Sequence, residues 1–263
     1  MTVPVIDGEE LRLLTRTITK SMTETAPGAP LRGALVELGW PDLLAEVPDT
    51  AVPLVFRLLG ETGAHAPLLG DVIGAAGPLP YAGGSWVAWD RGGEGAGNAV
   101  DPELPLRRVP SGEPLPAAGL AAGRQALGWW LFGTGRAMLA LARAHAVVRV
   151  QFGQPIASFQ AMRHRLADTL VALDGAEAVL AAAGADELGS LLAKAAAGRA
   201  ALTAARHCQQ VLGGIGFTAD HSLHVHVKRV LVLDGLLGSA RELTREAGRA
   251  VIASGSAPRL ADL

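Results

Sequence analysis

A mainly helical chain with a C-terminal four-helix bundle is predicted by three observations. Hydrophobic residues make up 49% of the 263 residues while aromatics make up only 4%, so the core must be built from Ala, Leu and Val. From Leu120 onward the apolar spacing is helical almost without pause, with short breaks. Between about Gly77 and Gly119, by contrast, Gly and Pro recur densely, which allows only a few short strands or loops.

The N-terminal region, residues 1–76, reads as short helices between breakers. Glu9 to Met22 carries Leu11, Leu13, Leu14, Ile18 and Met22 at helical spacing. Leu31 to Leu44 repeats the pattern and ends near Pro48. Ala51 to Gly63 gives another helix, with Pro53 in its first turn. The middle region, residues 77–119, holds Gly83-Gly84, Gly92-Gly93, Pro102, Pro105, Pro110, Pro114 and Pro116. Ser85 to Trp89 alternates clearly and Leu104 to Val109 more weakly. This stretch is too small to close a barrel.

The third region, residues 120–263, supplies the bundle. One helix is expected from about Leu120 to Val150, broken by Gln151-Phe152-Gly153-Gln154-Pro155-Ile156. A second runs from about Ser158 to Gly184 with Ser158 as its cap. A third covers about Asp186 to Leu212 and is stopped by Gly213-Gly214-Ile215-Gly216. A fourth runs from about His221 to Ala253, with interruptions at Gly235 and Gly238. Long helices joined by short loops read as an antiparallel bundle.

Charge and cysteine narrow the function. The formal net charge of −2 offers no cationic excess for phosphate backbones, which argues against nucleic-acid binding. One cysteine, Cys208, excludes an intrachain disulfide and fits a reducing, cytoplasmic setting. The first residues carry no basic stretch followed by an apolar run, so a cleaved leader is not expected. Ala126 to Ala142 is interrupted by Arg136 and three glycines and reads as a core helix rather than a membrane span.

Several candidate clusters have plain structural readings. His221 and His224 share a helix face but His226 does not, and no fixed carboxylate or cysteine completes a metal set. They read as solvent-facing or interface histidines. His207 and Cys208 are adjacent on a helix, so they cannot act as base and nucleophile; Cys208 reads as a small buried residue. Gly213-Gly214-Ile215-Gly216 follows a helix rather than a strand and, taken alone, is a helix stop. The string Arg149 to Ile156, with Phe159 and Gln160, places a forked cation beside aromatics. This suits a phosphate next to a heteroaromatic ring. It equally suits a charged helix end anchored by Phe152, and both readings stay open on chemistry alone.

Taken together, two strings carry a family resemblance. Arg149-x-x-Phe152-Gly153-x-Pro155-Ile156-x-x-Phe159-Gln160 and Gln210-Val211-Leu212-Gly213-Gly214-Ile215-Gly216-Phe217-Thr218 resemble the C-terminal helical domain of acyl-CoA dehydrogenases. Glu37 to Trp40 and Leu59 to Gly63 weakly resemble the family's N-terminal helical domain. The resemblance implies FAD and α,β-desaturation of an acyl-CoA thioester: a Glu carboxylate removes the α-proton and flavin accepts the β-hydride. It implies that Arg149, Phe152, Phe159, Gln160, Gln210, Gly213 and Gly214 contact FAD held mainly by a neighbouring subunit. Arg124 falls near a family Arg beside the substrate.

Departures from the family pattern matter as much. Counting from the glycine motif puts the usual Glu at Leu237, before Gly238-Ser239. Counting back from Arg149 puts the alternative base position at Gly123. Neither can take a proton, and Gln125 nearby is no base. Ser239 keeps a hydroxyl where the family has Thr, and the usual Arg-Asp pair appears as Lys228-Arg229. The family's large β domain is reduced to residues 77–119.

The resemblance therefore implies a shortened, base-less subunit of a heteromeric acyl-CoA dehydrogenase. A full-length partner would supply the Glu, the assembly being of α2β2 type. Bacterial members that oxidise bulky thioesters such as steroid side chains are the analogy. An oligomer is also expected because the Ala- and Gly-rich bundle surface permits close approach and the trimmed β region leaves apolar faces open. Two other readings are a self-sufficient acyl-CoA or acyl-carrier-protein dehydrogenase with a relocated base such as Asp234 or Glu242, and a non-enzymatic scaffold.

Overall fold

The computed structural model describes residues 6–89, 99–101, 104–184 and 186–256. Gly92-Gly93 and Pro102, expected as loop residues, lie outside the described residues. Ten helices occur among the described residues. No helix among the described residues is long and apolar enough to cross a membrane.

Five helices open the chain: α1 (Gly8–Glu24), α2 (Ala29–Glu37), α3 (Trp40–Glu46), α4 (Pro48–Thr62) and α5 (Leu69–Ile73). Asp7 caps α1 in a capping box with Glu10, which satisfies otherwise orphaned amides. The single helix expected over Leu31–Leu44 is two, because Gly39 adopts φ 87° and Pro41 opens α3. Helix α4 starts at Pro48, so Pro53 lies inside it rather than in its first turn. Asp71 of α5 ties this region together by accepting bonds from Arg32 at 3.0 Å and Trp40 at 3.1 Å.

The middle region forms an antiparallel sheet of β1 (Leu79–Tyr81), β2 (Ser85–Trp89), β3 (Ala99–Asp101) and β4 (Leu104–Val109). Their order is β1-β2-β4-β3, with Val87 opposite Arg108. Buried Leu79, Val87, Leu104 and Leu106 join the main core.

Helix α6 (Ala117–Val148) is the spine. It packs against α4 on one side and α7 (Gln160–Ala182), α8 (Glu187–Leu212) and α9 (Leu223–Gly235) on the others. The fourth bundle element breaks after Gly235, and α10 (Ala240–Ser254) packs on α8. Ser158 does not cap α7: Phe159 holds that position without a side-chain bond. The expected Asp186 boundary is met, since its carboxylate accepts the Gly189 amide at 2.9 Å.

Small residues set the helix spacing. A methyl on Gly133 would collide with the Arg57 carbonyl, and one on Gly60 with the Trp130 carbonyl and the Thr134 amide. Helices α4 and α6 therefore touch backbone to backbone. Beside this contact, Trp40, Phe56 and Trp130 form an edge-to-face chain with centroids 6.3 and 5.9 Å apart, the arrangement favoured by ring quadrupoles.

Candidate functional site

The two groups of predicted site residues occupy opposite ends of the bundle. Helix α7 runs back along α8, as the Thr169–His207 contact at 2.9 Å shows. The start of α7, the end of α8 and the end of α6 thus share one end. The His145 and His221 rings, 6.4 Å apart, bring the start of α9 there too. From Arg124 to Arg149 is 25 residues of helix, roughly 38 Å at 1.5 Å per residue.

At the first end the chain leaving α6 makes a tight hairpin, β5 (Val150–Gln151) with β6 (Gln154–Pro155). Its two-residue turn is Phe152-Gly153, at φ 52° and 78°. Two positive φ values are what a two-residue hairpin turn matching strand twist requires. Glycine accepts this freely, but Phe152 is strained, and its ring is 91% exposed. The Phe152 ring meets the half-buried Phe159 edge-on at 6.1 Å. Arg149 and Gln160 are exposed beside it, and the Gln160 amide lies 3.4 Å from His164. At the end of α8, Gln210 and Gly214 are exposed and Gly213 is half-buried at φ 66°. Residues Gly213–Phe217 form one short 3₁₀ turn. Ile215 and Phe217 are exposed there, as are Val147, Val148 and Val150 nearby. Among the described residues this end presents an exposed surface that is both apolar and cationic.

At the other end the two counted base positions converge. A methyl on Gly123 would lie 2.8 Å from the Leu237 side chain and equally close to Ile73. Leu237 is 1% exposed and held at φ 57°. Its amide donates to the Pro80 carbonyl at 2.8 Å, and its carbonyl accepts from Arg124 Nε at 3.3 Å. The Arg124 side chain is 6% exposed, with Glu246 at 3.5 Å. Burial pulls its pKa below the ordinary arginine value, and Glu246 opposes this.

The turn carrying Leu237 is pinned from beneath by Lys194, which sequence reasoning missed. Lys194 is fully buried, and its ammonium donates to the Asp234 carbonyl at 2.9 Å and the Gly238 carbonyl at 2.6 Å. Burial lowers its pKa to about 7, against the favourable field of Asp234. A lysine within an alanine-rich helix signals nothing by periodicity except its place on the buried stripe.

Neither relocated-base candidate lies free beside Leu237. Asp234 accepts the Ala240 amide at 3.0 Å and lines a separate groove with Arg199, Arg241 and Arg245. Glu242 forms the capping box of α10 with Ser239 and accepts the Gly83 amide at 2.9 Å. These bonds hold its carboxyl below the usual range. Gln125 donates instead to the Ala183 and Gly184 carbonyls.

No group of three or more His, Cys, Asp or Glu able to hold a metal occurs among the described residues. His226 is not solvent-facing: it is buried against Gly63, and burial lowers its pKa to about 4. Cys208 is buried, with its thiol pushed up to about 12. Arg229 reaches the Ala64 carbonyl at 3.1 Å, just past the C-terminus of α4, where a cation is favoured.

Comparison with known proteins agrees with this architecture. The family model "Acyl-CoA dehydrogenase, C-terminal domain" matches residues 111–252. The chain belongs to the acyl-CoA dehydrogenase family, which is FAD-dependent. Among curated relatives it is 36% identical over 174 residues to acyl-CoA dehydrogenase IpdE2 of Mycobacterium tuberculosis, covering 62% of this chain and 53% of that protein. It is 42% identical over 123 residues to acyl-CoA dehydrogenase FadE34 of the same organism, covering 43% and 17%. The chain thus spans about half, or less, of these relatives' length. The ChsE4-ChsE5 complex from Mycobacterium tuberculosis aligns with TM-score 0.69 at 18% identity, over 98% of this chain and 100% of that one. Butyryl-CoA dehydrogenase from Megasphaera elsdenii aligns with TM-score 0.68 at 15% identity, over 96% and 99%. Both likenesses concern the fold.

Proposed function

We propose that this chain is a non-catalytic subunit of a heteromeric, FAD-dependent acyl-CoA dehydrogenase. One observation carries the reading. Both positions where the resemblance places a base, Leu237 and Gly123, face each other in an apolar contact, and the neighbouring carboxylates among the described residues are engaged elsewhere: Asp234 and Glu242 by backbone amides and Glu246 by Arg124. A full-length homologue then supplies the proton-abstracting Glu and the larger β domain.

The opposite end suits FAD. An exposed ring in a strained turn, a forked cation and open glycine backbone are what a phosphate and a heteroaromatic ring need. Arg149 and Gln160 would hold the pyrophosphate side, Phe152 and Phe159 the adenine side, and Gln210 with Gly213-Gly214 the second ADP contact. FAD, when bound, supplies the acceptor for the hydride. The roughly 38 Å along α6 between this end and Arg124 supports a wall that serves a flavin in a neighbouring subunit. Arg124 is the residue nearest a substrate by resemblance.

The name of the ChsE4-ChsE5 complex and that of a variant of the Tcur3481-Tcur3483 steroid ACAD are the analogy for a paired assembly of α2β2 type and a steroid-like thioester. We assign residues 1–76, 77–119 and 120–263 to a trimmed helical domain, a reduced β region and the bundle.

Co-expression with a full-length homologue tests the reading by native mass and absorption spectrum. The expected result is a yellow complex containing both chains, whose desaturation survives Leu237→Ala here and is lost when the partner's Glu is replaced. A stable, flavin-bound chain active by itself would overturn it. Loss of turnover on replacing Asp234 or Glu242 would favour a self-sufficient enzyme, and absence of flavin from every complex would favour a scaffold.

A further inference from the structure

Arg124 sits at the floor of a cleft of about 370 Å³ lined by Pro80, Tyr81, Leu120, Leu237 and the α10 residues Glu242, Arg245, Glu246 and Arg249. That volume lies in the usual range for small-molecule pockets, about 300–1,000 Å³. One wall is apolar and the other charged. Three arginines and two glutamates line it, and Glu242 is already committed to Ser239 and Gly83.

The buried guanidinium is poorly served for a charge so deep. Its contact with Glu246 is 3.5 Å and its bond to the Leu237 carbonyl 3.3 Å. Good charge-assisted bonds are about 2.7–2.9 Å, and a buried charge needs close partners to offset its lost hydration. Glu246 is 42% exposed and can swing out to water. Glu246 is the one carboxylate in contact with Arg124 among the described residues, and it holds the guanidinium only at this longer distance.

We propose that this cleft is a receptor for a free carboxylate with an apolar body. The carboxylate takes the place of Glu246 on Arg124. The body lies along Pro80, Tyr81, Leu120 and Leu237, and Arg245 and Arg249 at the rim favour an anion. The site differs from a thioester subsite because it requires a full negative charge, and it does not rest on the heteromeric reading.

Calorimetric titration tests it, on the full chain together with its partner where the two purify together. The probes are octanoate, octanol and inorganic phosphate. Octanoate is expected to bind at least tenfold more tightly than octanol, and phosphate not measurably. Glu246→Gln removes the internal competitor from an exposed position and should tighten octanoate several-fold. Arg124→Met should equalise octanoate and octanol. Equal binding of the two probes by the parent chain overturns the proposal. So does weaker octanoate binding by Glu246→Gln, and so does phosphate matching octanoate, which marks an unspecific anion site. The flavin spectrum of the complex is read separately and distinguishes these outcomes from failure of the proposed function.

Discussion

Phe152 and Leu237 are the two non-glycine residues with positive φ among the described residues, and each stands where the family resemblance places chemistry. Strain of this kind persists where surrounding structure over-determines it, and it clusters at functional sites. For Phe152 the left-handed conformation costs about 1–2 kcal/mol, while glycine there would cost about 0.4–1 kcal/mol through the unfolded chain. Phe152→Gly should therefore raise the stability of the isolated chain by about 0.5 kcal/mol in urea titration. It should also release flavin from the assembled complex. Unchanged flavin retention would remove Phe152 from the cofactor wall. Lys194 gives a second prediction. Its pKa of about 7 in the folded chain lies below the ordinary 10.5, so above pH 7 the unfolded chain binds more protons. Stability then rises with pH, by up to about 1.4 kcal/mol per unit. The contribution is complete above pH 10.5 and is lost as pH falls through 7. The histidines with shifted values are all lowered from 6.5, and Cys208 weakens the fold only above its ordinary 9.0. The window from pH 7 to 9 therefore isolates Lys194. Lys194→Met should flatten the slope there and, by orphaning two carbonyls, destabilise the chain by about 2–4 kcal/mol.

Helices pack here by approach of small residues more than by large side chains. Helix α6 carries glycines at 119, 123, 128, 133 and 135, and Gly133 and Gly60 let its backbone touch that of α4. Glycine costs about 1 kcal/mol in a helix relative to alanine, yet alanine cannot be accommodated at this crossing. Gly133→Ala should destabilise the chain by more than about 3 kcal/mol, whereas Gly175→Ala, which meets open space, should stabilise α7 by up to about 1 kcal/mol. Paired thermal unfolding of the two variants reads the difference, and equal effects would refute the close crossing. A break in the last helical stretch follows the same logic. Gly235 admits the Tyr81 ring, Tyr81 bridges to Leu236, and the Ser239 capping box restarts the helix as α10.

The molecule as a whole is asymmetric in what it leaves uncovered. Val147, Val148, Val150, Phe152, Ile215 and Phe217 are exposed around one end of the bundle, a concentration unlike the scattered apolar residues of ordinary surfaces. A partner that covers this end binds only the folded chain. At a concentration 100 times the Kd it adds about 2.7 kcal/mol, which for a chain of this size raises Tm by about 5–10 °C. Differential scanning of the chain with and without its partner checks this. A Tm independent of partner would place the interface elsewhere.

Apolar periodicity, the Pro and Gly breaks and the two motif strings were enough to mark the bundle, the reduced middle region and the family, because each is local in the chain. Counting from the motifs also singled out Leu237 and Gly123, though 114 positions separate them. The separation of Leu31–Leu44 into two helices was missed because Gly39 and Pro41 act through backbone conformation, not hydrophobic pattern. Ser158 was misread as a cap because the hairpin and the 3₁₀ turn at Ile156–Ser158 shift the helix start. Only the tertiary structure decided what chemistry remains at the base position. Asp234 and Glu242 are carboxylates close in sequence to Leu237, and sequence distance does not reveal which way a carboxylate turns. The amides of Ala240, Gly83 and Ser239 engage them, and Lys194, 43 residues before Leu237, holds the turn in place. The two motif strings carried the resemblance to the family this chain belongs to. Long-range packing and hydrogen bonding decided that Leu237 and Gly123 meet in an apolar contact beside a buried arginine, while the nearby carboxylates of Asp234 and Glu242 turn to backbone amides.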